Sequence, residues 1–359
     1  MIMIKLLIVD DSAVVRAFLK DIFDKDREIE VVGTAPDPYV ARDKILRYEP
    51  DVITLDVEMP RMDGITFLKK LMTYHPVPVV ILSSLTQKGA ATTLQAMEEG
   101  AVDIIAKPEM SLVKGLEQIS LDITSKVKAA AQARVAKRGK AETKKTNSSK
   151  PIQIQSKALK QSTHKIIAIG ASTGGTEAIK AVLTRMPPDA PAILIVQHMP
   201  EKFTKAFAER LNTQSAMEVR EAKNGDGVLP GTALIAPGSY HMVLRRDGAR
   251  YFIKLNQEEP VHHQRPSVDV LFDSVATYAG TNATGVLMTG MGSDGASGLL
   301  KMREAGALTI AQDEESSVVY GMPKEAVTLD AVDRVCSLDN IPVTMLSFAT
   351  KEKRFKSKA

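Results

Sequence analysis

Residues 4–11 read Ile-Lys-Leu-Leu-Ile-Val-Asp-Asp, an apolar run broken only by Lys5 that stops on two adjacent carboxylates. A short, nearly continuous apolar run is the pattern of a strand buried on both faces. The pattern returns three times in the first 125 residues: Val52–Leu55 stops at Asp56, Val79–Leu82 at Ser83-Ser84, and Asp103–Ala106 at Lys107-Pro108. Stretches with helical spacing, Ala13–Phe23, Tyr39–Tyr48, Thr66–Thr73 and Ala90–Glu99, fill the intervals. This alternation predicts an α/β unit, a parallel sheet covered by helices on both faces. It also gathers Asp10, Asp11, Asp56, Ser83 and Lys107 at the carboxyl ends of the strands, where open α/β sheets bind ligands.

A second α/β alternation begins at Lys165. Strands are expected at Ile166–Ile169, Ala192–Val196, Ala233–Ile235, Gly285–Met288 and Ala307–Ala311, with a hairpin of Met242–Arg246 and Tyr251–Leu255. Helices are expected from about Thr176 to Met186 and over Lys202–Leu211, Ser267–Ala279, Asp294–Ala305 and Lys324–Leu329. Between the two units the composition shifts to Lys, Ala, Ser, Thr and Gln, that of a flexible linker, although Ser125–Arg138 can extend the preceding helix. The division expected is a first domain over 1–125, a basic linker over 126–163, a second domain over 164–350 and a basic tail over 351–359.

Composition excludes several classes. The 359 residues are 44% hydrophobic and 25% charged, which is ordinary for a folded protein. The single cysteine, Cys336, rules out a disulfide scaffold. No stretch approaches the roughly 20 apolar residues that span a bilayer, so no membrane insertion is expected. The N-terminal run meets Asp10-Asp11 too soon for a secretory leader, and a cytoplasmic protein is expected. The net charge of +4 is misleading. Residues 126–160 carry eleven basic residues and one acid, and the tail five and one, whereas 1–125 hold 14 basic against 20 acidic residues. Residues 161–350 hold 17 against 21. Both candidate domains are acidic, and a nucleic-acid-binding fold carries its basic patch on the domain itself, so no nucleic-acid partner is expected.

Two constellations carry chemistry. In the first domain, three carboxylates brought together repel one another unless a cation sits among them, and Mg²⁺ suits an oxygen-only donor set. Such a carboxylate can attack a phosphoryl group, with the Lys107 ammonium and the Ser83 hydroxyl meeting the phosphoryl oxygens. In the second domain, Gly170-Ala-Ser172-Thr-Gly174 follows a strand and opens a helix, the form of a nucleophile elbow. It lacks the Lys of a phosphate-binding P-loop, and Ser172 stands where a dinucleotide fingerprint has its second glycine. A nucleophilic serine needs a base, and the base an orienting carboxylate. His198 follows the strand ending at Val196, and Asp294 sits in the Gly-rich loop Gly290–Gly298 between a strand and a helix. His241, near a hairpin start, is a further candidate. His75, His164, His262 and His263 fall in expected loops or flanks. The order Ser, His, Asp differs from the Ser, Asp, His of α/β-hydrolases.

Residues 1–125 resemble response-regulator receiver domains throughout. The resemblance implies a flavodoxin-like doubly wound parallel sheet, with Asp56 as phosphoacceptor. It also implies Mg²⁺ positioned by Asp10 and Asp11 with the Glu58 carbonyl as a further ligand, and Ser83 and Lys107 as switch residues. Ile104 departs from the pattern, since receivers usually have an aromatic residue there.

The segments GASTGGTEAI, IVQHMP, APGSYHM, RPSVDVLF, VLMTGMGSDGA and AQDEESSVVYGMPKEA, in that order, resemble the catalytic domain of the CheB family of chemotaxis protein-glutamate methylesterases. That resemblance implies a second doubly wound α/β domain with Ser172 as nucleophile, His198 as base and acid, and Asp294 as its partner. Thr173 and Met291 would lie near oxyanion and substrate, and Ser293 stands where the family often has Asn. It further implies a phosphorylation-activated esterase acting on glutamate methyl esters of methyl-accepting chemotaxis receptors, and on receptor glutamines. A chemotaxis histidine kinase would be the phosphodonor, and the esterase site would need no cofactor. A receiver with a DNA-binding output and a non-catalytic adaptor are the competing classes.

Overall fold

The computed structural model describes residues 3–59, 63–84, 86–107, 116–133, 135 and 165–350. Most of the linker, including His164, and the tail 351–359 lie outside the described residues.

The first domain runs β1 (Ile4–Val9), α1 (Ala13–Phe23), β2 (Ile29–Ala35), α2 (Pro38–Tyr48), β3 (Val52–Asp56), α3 (Gly64–Tyr74), β4 (Val79–Ser83), α4 (Gln87–Glu98), β5 (Asp103–Ala106) and α5 (Leu116–Ala131). The helices start where short polar side chains cap them. The Ser12 hydroxyl accepts from the Val15 amide, Asp37 from Tyr39 and Val40, Asp63 from Thr66 and Thr86 from Gly89. The sheet order is β2-β1-β3-β4-β5, with every pairing parallel. That is the flavodoxin-like doubly wound order. The sequence pattern missed β2. It is an edge strand with only its two end residues, Ile29 and Ala35, buried, so it lacks a continuous apolar run. Helix α5 continues past position 125 to Ala131.

The second domain runs β6 (Ile166–Ala171), α6 (Gly175–Leu183), β7 (Ala192–Gln197), α7 (Phe203–Gln214), β8 (Glu218–Glu221), β9 (Thr232–Ile235), β10 (His241–Asp247), β11 (Arg250–Asn256), α8 (Val268–Tyr278), β12 (Ala283–Leu287), α9 (Ala296–Glu304), β13 (Leu308–Gln312), α10 (Met322–Thr328), β14 (Arg334–Cys336) and α11 (Ile341–Thr350). Seven parallel strands order as β14-β13-β12-β6-β7-β9-β8, and β10 and β11 form a separate antiparallel hairpin. The edge strands β8 and β14 are short and polar, and neither carries a strand signal of its own. From β6 the chain winds outward through β7, then returns to the other side of β6 with β12. The switch point therefore lies between β6 and β12, where a doubly wound sheet opens its crevice.

The domains pack against each other. One apolar cluster holds Leu94, Met97 and Ile104 of the first domain with Met199, Phe207 and Leu211 of the second. At the end of α4, Glu98 accepts from Lys180 of α6 at 2.8 Å and is paired by the Arg210 guanidinium of α7. Burial would raise the Glu98 pKa, but Arg210 and Lys180 outweigh it and hold the carboxyl at about 2, from an ordinary 4.5. A depressed carboxylate stabilises above its unfolded pKa and loses that contribution only as pH falls toward the folded one. The clamp is therefore at full strength at neutral pH.

Within β6, a Cβ on Gly170 would fall 2.2 Å from Val268 Cγ1 of α8. Gly170→Ala must push α8 outward, at a cost of about 1–3 kcal/mol. Thermal melting should show the loss, and an unchanged transition would contradict this packing.

Candidate active site

Three chain segments leave the sheet around its switch point, each carrying one polar side chain. Ser172 follows β6, His198 follows β7, and Asp294 lies in the loop between β12 and α9. The structure brings them into line. His198 Nδ1 is 3.1 Å from Ser172 Oγ, and His198 Nε2 is 2.7 Å from Asp294 Oδ2. A carboxylate only accepts, so Nε2 carries the imidazole proton and Nδ1 is left to accept from the serine hydroxyl. The ring nitrogens are used in the opposite order to the serine-protease template, and the relay works either way round.

Asp294 is the most constrained group in the site. Its side chain is about 3% exposed. Besides His198, it accepts from Ser267 Oγ at 2.8 Å, Val268 N at 2.7 Å and Asp269 N at 2.9 Å. Those amides are the first turn of α8, whose positive end favours an anion. Burial would raise the Asp294 pKa, but His198 and the two amides outweigh it and keep the carboxyl below its ordinary value. His241 does not line the site. It is fully buried, accepts from Ser267 N through Nδ1 at 3.2 Å, and meets the Glu259 carbonyl through Nε2 at 3.1 Å. It supports the serine that supports Asp294.

The loop behind Ser172 is equally fixed. Ser172 N donates to the Thr289 carbonyl at 3.0 Å, and the Ser172 carbonyl accepts from Gly175 N at 2.7 Å and Gln197 Nε2 at 2.9 Å. Gly174 caps α6 at φ +77°, a left-handed turn that favours glycine. Thr173 is buried, and Met291 lies beside Ser172 and His198 on a cavity of about 270 Å³. Asp122, Ser125 and Lys126 of α5 form the opposite wall. His262 and His263, expected in solvated loops, also reach this cavity, both at positive φ, with His262 Nε2 2.9 Å from Asp269 Oδ2. His75 is exposed at the end of α3.

At the carboxyl ends of the first sheet, Asp10, Asp11 and Asp56 bring carboxylate oxygens within 4.8 Å of one another. Lys107 Nζ lies 2.9 Å from Asp10 Oδ2 and 2.8 Å from Asp56 Oδ2. Burial raises the Asp56 pKa, against the opposing pull of Lys107. Burial would lower that of Lys107, but Asp56 and Asp10 outweigh it and raise it. Ser83 is buried beside this cluster's strand end with its hydroxyl toward the Ser84 carbonyl. The Glu58 amide donates to Asp56 Oδ1 at 2.9 Å, and the Glu58 side chain accepts from Ser84 Oγ. An all-oxygen set with two buried carboxylates is the chemistry that holds a hard divalent cation, so these residues fit Mg²⁺.

Four groups around this site were given no role by the sequence: Ser267, Gln197 and Thr289, which lie inside the quoted segments RPSVDVLF, IVQHMP and VLMTGMGSDGA, and Asp103. Ser267 stood only as the first residue of the expected helix Ser267–Ala279, and Gln197 as the residue before His198. Thr289 and Asp103 act through contacts distant in sequence.

A family model described as CheB methylesterase matches residues 167–345, and one described as response regulator receiver domain matches 6–117. A protein of Syntrophus aciditrophicus named protein-glutamate methylesterase/protein-glutamine glutaminase 2 is 58% identical over 338 residues, 94% of this chain and 97% of that protein. The chain belongs to the CheB methylesterase family. A protein-glutamate methylesterase/protein-glutamine glutaminase of Sulfurimonas denitrificans is 53% identical over 98% of this chain and 99% of its own. The crystal structure of the Thermotoga maritima CheB methylesterase catalytic domain superposes with a TM-score of 0.51 at 36% identity, covering 52% of this chain and 98% of that one.

Ser267→Ala removes one of four bonds to Asp294 and the cap of α8 together. A hydrogen bond to a buried charge contributes about 1.5–3 kcal/mol, so turnover should fall roughly tenfold to a hundredfold. Steady-state kinetics on the folded variant checks it, and an unchanged kcat would show that Asp294 does not depend on this cap.

Proposed function

We propose that this protein is a phosphorylation-controlled serine esterase that hydrolyses glutamate methyl esters on chemoreceptors and deamidates receptor glutamines, serving chemotactic adaptation. The observation that carries the reading is the Ser172–His198–Asp294 line at the switch point of one sheet, with a second, acidic pocket in a receiver packed beside it. The glutamate-ester and glutamine substrates follow the names of its relatives, and the receptors and kinase follow the family resemblance. Residues 1–125 with the continuation of α5 to Ala131 are the regulatory part, the remainder of 126–163 the linker, 164–350 the esterase and 351–359 a basic tail. The substrates are cytoplasmic helices, so the protein works in the cytoplasm. Among the described residues no helix is long and apolar enough to cross a membrane.

Ser172 Oγ attacks the ester carbonyl carbon while its proton passes to His198 Nδ1. Asp294 holds the imidazolium by its Nε2–H. The tetrahedral oxyanion forms at the N-terminus of α6, where backbone amides and the helix dipole favour negative charge. Thr173 and Met291 flank that position. Collapse expels methanol, which takes the His198 proton, and leaves an acyl-serine. Water then attacks, His198 takes its proton and returns it to Ser172 Oγ, and the glutamate carboxylate departs. With a glutamine substrate, ammonia leaves in place of methanol.

In the receiver, Asp10, Asp11, Asp56 and the Glu58 carbonyl would hold Mg²⁺, whose charge offsets that of the incoming phosphoryl group. An Asp56 oxygen accepts the phosphoryl from the phosphohistidine of a chemotaxis kinase, and the imidazole leaves. Lys107 and the Ser83 hydroxyl then have phosphoryl oxygens to hold. Unphosphorylated, the receiver lies against the esterase cavity and keeps receptor helices out. Phosphorylation biases the pair toward an open arrangement.

Methanol release from methylated receptor membranes, with Mg²⁺ and a small phosphodonor, tests this. Ser172→Ala should lose about 10³-fold or more. Asp56→Asn should keep basal release but lose the rise on phosphodonor. Release that survives Ser172→Ala would refute the esterase assignment, and a rise that survives Asp56→Asn would refute the switch.

A further inference from the structure

The receiver touches more than the rim of the esterase site. At the start of β5, the Val102 carbonyl accepts from Gly174 N at 3.2 Å, and Asp103 Oδ2 accepts from Thr173 Oγ1 at 2.5 Å. Gly174 and Thr173 are the two residues that follow Ser172. Residues 102–104 line, with Ser172, Gln197 and His198, a narrow gap of only about 10 Å³.

Asp103 is about 6% exposed and is built into the interface. Its other oxygen accepts from Ile104 N at 2.7 Å. Lys126 is buried beside it, donating to the Ile104 carbonyl at 2.9 Å and pairing with Asp122. Burial raises the Asp103 pKa, with Lys126 and Thr173 opposing.

Cover alone is incomplete on the other side. Ser172 stays partly exposed, and the cavity of about 270 Å³ beside it has room for a small ester. If exclusion were the whole control, small esters would react equally well with either state of the receiver. Yet an amide given to the Val102 carbonyl and a hydroxyl given to Asp103 are two donors withdrawn from the end of α6 that faces a forming oxyanion. Losing one such donor costs about 10²–10³ in rate in other serine hydrolases.

We propose that Asp103 is a positioning residue: in the unphosphorylated protein it hooks Thr173, committing the loop behind Ser172 to the receiver, so control falls on the chemical step as well as on access. Strand β5 spans only Asp103–Ala106, and the next residue, Lys107, is held by Asp56 and Asp10. The hook and the phosphorylation pocket are thus opposite ends of one short strand. The proposal rests on the esterase reading.

The test uses the full-length chain, without phosphodonor, and N-acetylglutamate γ-methyl ester, with kcat and KM measured separately from methanol release. Asp103→Ala should raise kcat about tenfold or more while KM stays within about twofold. Asp103→Asn, which keeps an acceptor oxygen, should raise it less. Phosphodonor should bring the parent toward Asp103→Ala and add little to that variant. Equal kcat values, including no hydrolysis by either protein, overturn the hook, as does a change confined to KM. Should Asp103→Ala melt early, hydrogen exchange of the parent decides: the peptide containing Ser172–Gly175 should exchange faster on adding phosphodonor, and no change overturns the hook. Receptor demethylation by the parent with phosphodonor, run beside these, separates failure of the hook from failure of the esterase reading.

Discussion

A buried carboxylate with four donors holds the esterase site together. Asp294 cannot stay charged inside a protein unless its hydrogen-bonding capacity is filled, because an unpaired buried charge costs several kcal/mol. The first turn of α8 supplies two amides and the Ser267 cap supplies a hydroxyl. Only the fourth position, at His198, is left for chemistry. This fixes where α8 must start relative to the β12–α9 loop, and so how closely α8 lies on β6. The absence of a side chain at Gly170 is part of the same constraint, since α8 can approach only over bare backbone. His241 belongs to it too, holding the backbone of Ser267 from behind.

The same logic organises the receiver, with a different solution. There three carboxylates converge, and Lys107 supplies charge to two of them in the absence of a phosphoryl group. A structural site wants its charges matched at all times, as around Asp294. A switch wants them matched in two ways of similar free energy. An ammonium on a flexible stem can move from carboxylates to a phosphoryl oxygen, which a row of backbone amides cannot do. The rigid site and the movable site lie on separate sheets, joined by the contact of β5, α4 and α5 with the second domain.

Much of this was legible in the sequence, for a definite reason. Strands buried on both faces announce themselves as apolar runs, and the polar residues that end them lie at one edge of a parallel sheet. Asp10, Asp56, Ser172 and His198 were found that way, and Asp294 by its place in a Gly-rich loop. What stayed hidden follows from the same physics. The edge strands β2, β8 and β14 have a wet side or edge, so their apolar runs are broken or absent. Asp103 begins a strand instead of ending one, and its partner Thr173 lies 70 residues away, so no local pattern joins them. Ser267 stood only as the start of an expected helix, and that its hydroxyl both caps α8 and holds Asp294 is a contact 27 residues apart in sequence. His262 and His263 sat in a loop whose path no periodicity describes.

The contact between the domains is built from terms that respond to different perturbations. The Glu98 ion pairs are partly exposed, with about a quarter of the Glu98 side chain open to water, so they are screened by salt and contribute little each. The apolar cluster around Met97, Ile104 and Phe207 is insensitive to charge. The Asp103–Thr173 bond is buried and depends on the position of β5. This last term, with the Val102 carbonyl beside it and Ile104 of the apolar cluster next in sequence, lies on the strand that runs into Lys107. A phosphoryl group at Asp56 therefore need not dissolve the whole interface. A change of a few kcal/mol in the strand that holds Thr173 alters the populations by orders of magnitude. Linkage then runs in both directions, because two sites that bias one equilibrium must affect each other equally. On the proposal that Asp103 hooks Thr173, an oxyanion held by the loop behind Ser172 displaces the same contacts, and in doing so favours the receiver state proposed for the phosphorylated protein. The oxyanion of the reaction and the phosphoryl group on the receiver are then coupled through one arrangement of β5, whereas the uncharged ester in its ground state is not, which leaves KM unmoved.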